Sequence, residues 1–191
     1  MYVVVGYYTQ DGIYDVAADK LIKSLDQFKV PHCILPIESK GNWLKNTSYK
    51  PTFILNMMDK FPDKSIVYVD VDAEFLQYPV LFDTLDCDVG AHELDHSQFR
   101  RSRNASELLS GTLFFSNSQT SRCIVEAWNL TCKQFPGLWD QRALKRVVGE
   151  NFHNLPAQYC QIFDYMKTVP DPVITHYQAS RKVRQKERSI V

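Results

Sequence analysis

The chain has 191 residues, 45% of them hydrophobic, which is enough for one packed core of ordinary domain size. Lysine plus arginine and aspartate plus glutamate number 22 each, so no overall basic field favours nucleic acid or a membrane surface beyond peripheral contact. No apolar run reaches spanning length, residues 3–5 lack the basic leader of a secretory signal, and the five cysteines form no Cys-x-x-Cys pair, so a cytoplasmic protein with reduced thiols is expected.

Residues 2–8 read as a first strand, followed by a polar turn over 9–12. Ile13, Ala17, Leu21, Ile22, Leu25 and Phe28 then recur at helical spacing. A second strand is expected over 31–37, and Gly41 and Asn42 open a loop. A helix is expected from Pro51, a residue favoured in a first turn, to Phe61, with Met57 and Met58 toward the core. Residues 66–69 are β-branched and aromatic, the pattern of a buried strand, and the run stops abruptly on Asp70 and Asp72. Two carboxylates ending a buried strand need compensation, because an unpaired charge is costly to desolvate. A hard divalent cation, taking oxygen ligands and sharing them with phosphate, supplies it most simply. The carboxyl end of a strand is also where open α/β sheets bind ligands.

A short strand over 88–92 and a polar, basic loop over 97–104 come next. Residues 111–116 read as a strand, Ser118 caps a helix through Phe135 with Trp128 in the core, and Asp140 opens another through Val148. A last strand over 173–177 precedes a tail rich in Arg181, Lys182, Arg184, Lys186 and Arg188. Strands alternating with helices indicate an α/β sandwich, Rossmann-like, with a mainly parallel central sheet. No repeat or linker divides the chain, so 1–191 reads as a single domain with a basic tail over about 181–191.

Segments spread along the chain carry a resemblance: Tyr7-Tyr-Thr9 with Tyr14, Lys50-Pro51, the Asp-x-Asp of Asp70 and Asp72 with Pro79 and Phe82 behind, Ser110-Gly-Thr-Leu-Phe-Phe115, Trp139-Asp-Gln141, and His176-Tyr-Gln-Ala-Ser-Arg181. The chain resembles the nucleotide-diphospho-sugar glycosyltransferases of the A-type fold. The resemblance implies transfer of a hexose from a nucleotide diphosphate sugar, with a UDP-sugar the expected donor, to a glycan or lipid-linked saccharide. It implies that Tyr7, Thr9, Tyr14 and Asp70 contact the nucleotide, and that Asp70, Asp72 and His176 hold Mn²⁺ or Mg²⁺ against the diphosphate. Lys50, Arg181 and Lys182 become the cations around the departing nucleotide, and Gly111 lets backbone approach the donor. Asp140 and Gln141 would bond sugar hydroxyls near the reacting carbon. If the reaction inverts, a carboxylate must serve as base, with Glu93, Asp95 and Asp140 the candidates; retention needs none there. In one large branch the distal histidine is followed by Gly three residues on and Lys six on. Ala179 and Lys182 stand there in this chain, a partial match closer to a bacterial and phage-type branch.

Three rivals compete. His92-Glu93-Leu-Asp-His96 spells H-E-x-x-H, a zinc protease signature if helical, although residues 88–91 look extended and Gly90 suits a helix poorly. A haloacid dehalogenase-like phosphatase also begins with an apolar strand and Asp-x-Asp, but Glu74 stands where Thr or Val is wanted. The third is a sugar-nucleotide-binding module without catalysis.

Overall fold

A computed structural model describes residues 1–10, 12–102 and 104–179. The N-terminal half runs β1 (Tyr2–Thr9), α1 (Ile13–Gln27), β2 (His32–Ile37), α2 (Trp43–Ser48), α3 (Lys50–Lys60), β3 (Ser65–Val69), β4 (Ala73–Phe75), α4 (Leu81–Thr84) and β5 (Val89–Leu94). After a 3₁₀ turn at His96–Gln98 come β6 (Glu107–Phe115), α5 (Gln119–Gln134), α6 (Asp140–Val148), β7 (His153–Asn154), β8 (Gln161–Ile162) and β9 (Ile174–His176). Among the described residues no helix is long and apolar enough to cross a membrane.

The central sheet has the order β2-β1-β3-β6-β5-β7, and only β6 runs against the others. A mainly parallel sheet must be covered on both faces, and β1 shows it. Tyr2 and Val4 pack on one side with Leu21 and Leu25 of α1. Val3, Val5 and Tyr7 pack on the other with Ile54 of α3, Trp128 of α5 and Leu144 of α6. Strand alternation thus divides one apolar run between two cores. Gly6 is required where strands approach closely, since a Cβ there would lie 2.8 Å from the Val69 carbonyl oxygen.

Several boundaries differ from the sequence expectation. The helix expected from Pro51 is preceded by a separate short helix, α2, capped by Asn42, whose side chain accepts from the Lys45 amide at 2.9 Å. The strand expected over 111–116 begins at Glu107, because Ala91 pairs with Leu113 while its neighbour His92 pairs with Leu109. Residues 110–112 are therefore an insertion bulging from β6, a device common beside active sites. Ser118 does cap α5, accepting from the Ser121 amide at 3.0 Å. Asp140 is the first residue of α6 and not its cap, so its carboxylate is free for other work.

Candidate active site

A small second sheet of order β4-β9-β8 brings the segment after Asp72 beside His176. Ala73 pairs directly with His176, and the Tyr177 amide donates to the Asp72 carbonyl at 2.9 Å. The chain then holds Asp72 twice: the Ala179 amide donates to Oδ2 at 2.9 Å, and His176 Nδ1 lies 3.5 Å from Oδ1. The other imidazole nitrogen, Nε2, is 2.8 Å from the Thr112 hydroxyl. Both side chains are well buried.

Gly111 completes this corner. A Cβ on it would sit 3.1 Å from His176 Cε1, 3.3 Å from His176 Nδ1 and 3.4 Å from Asp70 Oδ2. The missing side chain therefore makes room for the imidazole and the Asp70 carboxylate, both of which border one backbone point. The sequence assigned this glycine to a close approach of donor to backbone; in the structure the protein's own side chains use the space.

Lys50 takes a different place from the one expected. Its side chain is 3% exposed, and its ammonium lies 3.1 Å from Asp70 Oδ1 and 3.0 Å from Asp140 Oδ2. It also donates to the Ser110 carbonyl at 2.9 Å. Ser110 Oγ in turn donates to Asp140 at 2.8 Å, and Tyr68 donates to Asp70 at 2.9 Å. An ammonium has three donors, and these are committed to the protein. Lys50 is the centre of a buried network that fixes Asp70 and Asp140, in place of a direct contact to a diphosphate. Burial pushes its amine pKa down, but Asp140 and Asp70 outweigh that and leave it raised. Asp70 is also raised, by desolvation first, with Lys50 opposing and Asp72 adding to the rise.

These groups line a cavity of about 460 Å³, the size of a small-molecule site. Of the residues singled out in the sequence, Thr9, Tyr14, Asp70, Asp72, Asp140 and Gln141 line it. Tyr7 borders it but serves mainly as packing: its ring meets Tyr49, Phe53 and Tyr68, and its hydroxyl donates to the Asn46 carbonyl at 2.6 Å. Burial, then the Asp70 charge, pushes its phenol well up.

Two candidate bases do not reach the cavity. Glu93 pairs with Lys145 at 3.2 Å, and Asp95 caps the 3₁₀ turn, accepting from the Ser97 amide at 2.7 Å. Neither is among the lining residues. The protease reading fails on the same segment. Residues 89–94 are extended, so His92 and Glu93 point to opposite faces of the sheet. His92 is buried with Nδ1 2.7 Å from the Leu155 carbonyl. Arg181 and Lys182 lie outside the described residues.

Other lining residues belong to no motif of the sequence. Glu107 enters because β6 starts earlier than expected, and its carboxylate accepts from Gln141 Nε2 and, at 3.3 Å, from the Tyr165 hydroxyl. Trp43 enters with the short helix α2 and meets Trp139 edge-to-face at 5.7 Å. Among the described residues, no group of three or more His, Cys, Asp or Glu side chains is drawn close enough to hold a metal ion by itself. Asp72 and His176 supply two adjacent donors, with Asp70 Oδ2 across Gly111.

A mainly parallel central sheet with one reversed strand, covered by helices on both faces, is the A-type glycosyltransferase fold. The chain belongs to the nucleotide-diphospho-sugar transferase family, whose model matches residues 19–189, and is thus a glycosyltransferase. No curated protein sequence matches it. Among solved structures it is similar to a glycosyltransferase involved in glycosylation of the major capsid of PBCV-1, with TM-score 0.70 and 13% identity over 100% of this chain and 99% of that one. It is also similar to the galactosyltransferase LgtC, determined with donor and acceptor sugar analogues, at TM-score 0.61 and 8% identity over 97% and 95% of the two chains. Mouse xyloside xylosyltransferase 1 matches at TM-score 0.59 and 11% identity over 94% and 98%. At such identities the likeness speaks for the fold.

Proposed function

We propose that this chain transfers a hexose from a UDP-sugar to a saccharide acceptor, with Mn²⁺ or Mg²⁺ held by Asp70, Asp72 and His176. The observation that carries this reading is the meeting of Asp72 and His176, more than a hundred residues apart in sequence, beside Asp70 at the wall of the cavity that both aspartates line. The donor set fits a divalent ion that keeps open positions for phosphate, since such ions take few protein carboxylates when a diphosphate supplies the rest. Imidazole among the ligands favours Mn²⁺ over Mg²⁺. The hydrogen bond between Nε2 and the Thr112 hydroxyl fixes the ring with Nδ1 on the Asp72 side, where the Nδ1 lone pair would serve an ion if Nε2 carries the proton. When bound, the ion would offset charge building on the departing nucleoside diphosphate.

The chain's own residues do the remaining work. Thr9, at the carboxyl end of β1, and Tyr14, in the first turn of α1, face the nucleotide. Lys50 and the Ser110 hydroxyl hold the Asp140 carboxylate in place at the wall of the cavity, where it would meet the sugar hydroxyls. Gln141 donates its amide N–H to Glu107 and keeps its carbonyl oxygen for a sugar hydroxyl. Arg181 and Lys182 follow Ala179, whose amide is on Asp72, and supply cations for the diphosphate. The acid–base partner for an inverting reaction is Asp140 among the original candidates, since Glu93 and Asp95 face away.

The test is nucleotide release from a panel of UDP-sugars with saccharide acceptors. Turnover should need Mn²⁺ or Mg²⁺, stop with EDTA, and fall about 100-fold or more in Asp72→Ala. Undiminished turnover in chelator contradicts the reading.

A further inference from the structure

Four carboxylates line the cavity, Asp70, Asp72, Glu107 and Asp140, and three have duties already. Asp70 and Asp140 share Lys50, and Asp72 holds His176 and the Ala179 amide. Glu107 alone has no ion-pair partner among the described residues. It is nevertheless held in place, by Gln141 Nε2 on Oε1 and by the Tyr165 hydroxyl on Oε2. A carboxylate offers about four acceptor positions, and these two donors use one on each oxygen. The other position on each oxygen can accept a hydroxyl.

We infer that Glu107 anchors the acceptor saccharide by accepting hydrogen bonds from its hydroxyls. The placement supports this. Glu107 opens β6, and Gly111, beside which Asp70 and His176 meet, lies four residues along the same strand. At about 3.4 Å per residue, and less through the bulge, their backbones are at most roughly 13 Å apart. The diphosphate end and the Glu107 end thus bracket a space for the transferred sugar, with Gln141 bridging from α6. Leu109, Ile162 and the Tyr165 ring wall the same side, giving apolar surface for the C–H face of a pyranose. A hydroxyl bound to a charged acceptor is held about twice as strongly as by a neutral one. The site therefore favours polyhydroxylated acceptors without negative charge and directs them by geometry. The inference rests on the transferase reading above.

Its test is saturation-transfer NMR with methyl glucoside, galactoside and mannoside as probes, with UDP and Mn²⁺ present, on wild type, Glu107→Gln and Tyr165→Phe. Glu107→Gln should weaken pyranoside binding about tenfold or more, the loss of a charged hydrogen bond. Tyr165→Phe should weaken it less, and UDP affinity should stay within about twofold in both variants. Unchanged pyranoside binding in Glu107→Gln overturns the inference, as does absence of pyranoside binding to wild type. An equal fall in UDP affinity also overturns it, since that marks a structural role. Wild type that binds a pyranoside through Glu107 but does not bind UDP upholds the anchor and overturns the donor assignment.

Discussion

Replacing Lys50 with Met is the most demanding perturbation of this site, because the residue neutralises two carboxylates at once. Asp140 is 7% exposed, and without Lys50 its charge would be buried and uncompensated. Breaking a buried pair on one side costs about 3–5 kcal/mol. The Asp70 side chain is 41% exposed, so solvent screens it and its share is below about 1 kcal/mol. The loss thus falls mainly on Asp140 and amounts to about 3–5 kcal/mol, a large fraction of the stability of an ordinary domain. For a chain of this size that lowers the melting temperature by roughly 6–20 °C. Lys50→Met/Asp140→Asn should recover much of the loss, since it removes the stranded charge. The pH dependence has a definite sign. In wild type the folded Lys50 pKa is raised, so its contribution is complete below the ordinary lysine value and disappears only as strong alkali passes the folded value. In Lys50→Met that contribution is absent, so the deficit against wild type is present throughout the range below the ordinary lysine value. Urea unfolding followed by circular dichroism at several pH values measures both. A Lys50→Met midpoint equal to wild type, or a double variant no better than the single, refutes the buried-network account.

Gly111→Ala should lower turnover more than tenfold while costing only about 1 kcal/mol, because the new methyl meets His176 and Asp70 at 3.1–3.4 Å. Gly137→Ala, with nothing within 4 Å, is the control, and equal effects at both positions contradict the cradle. Thiol labelling should order the cysteines. Exposed Cys123 reacts first, while Cys87 and Cys132, each pushed up to about 11 by burial, carry about one thiolate in a thousand at pH 8. Mass-resolved labelling in which buried Cys160 reacts before Cys123 argues against the packing described.

The parts legible in the sequence were those whose chemistry is local. The apolar runs of β1 and β3 and the serine cap of α5 announce themselves within a few residues. The convergence of Asp72 with His176 followed from resemblance and was then placed by a three-residue strand, β4, too short to show periodicity. The rest depended on distant pairings. Lys50 looks like any lysine at a helix start until the bulge at Ser110 and the first turn of α6 bring three partners to it. Glu107 falls outside every element read from the sequence, because residues 110–112 interrupt the strand it opens. The sequence offers Glu93 as a base, and only the position of Lys145 on α6 shows where it points.

The central claim is that Asp70, Asp72 and His176 together bind a divalent ion only productively with a diphosphate, and isothermal titration of UDP tests it most directly. Mn²⁺ should tighten UDP binding to wild type by tenfold or more, a gain of about 1.4 kcal/mol, and should give His176→Ala little of that gain. Equal UDP affinity in Mn²⁺ and in EDTA, or an undiminished Mn²⁺ effect in His176→Ala, would contradict the account.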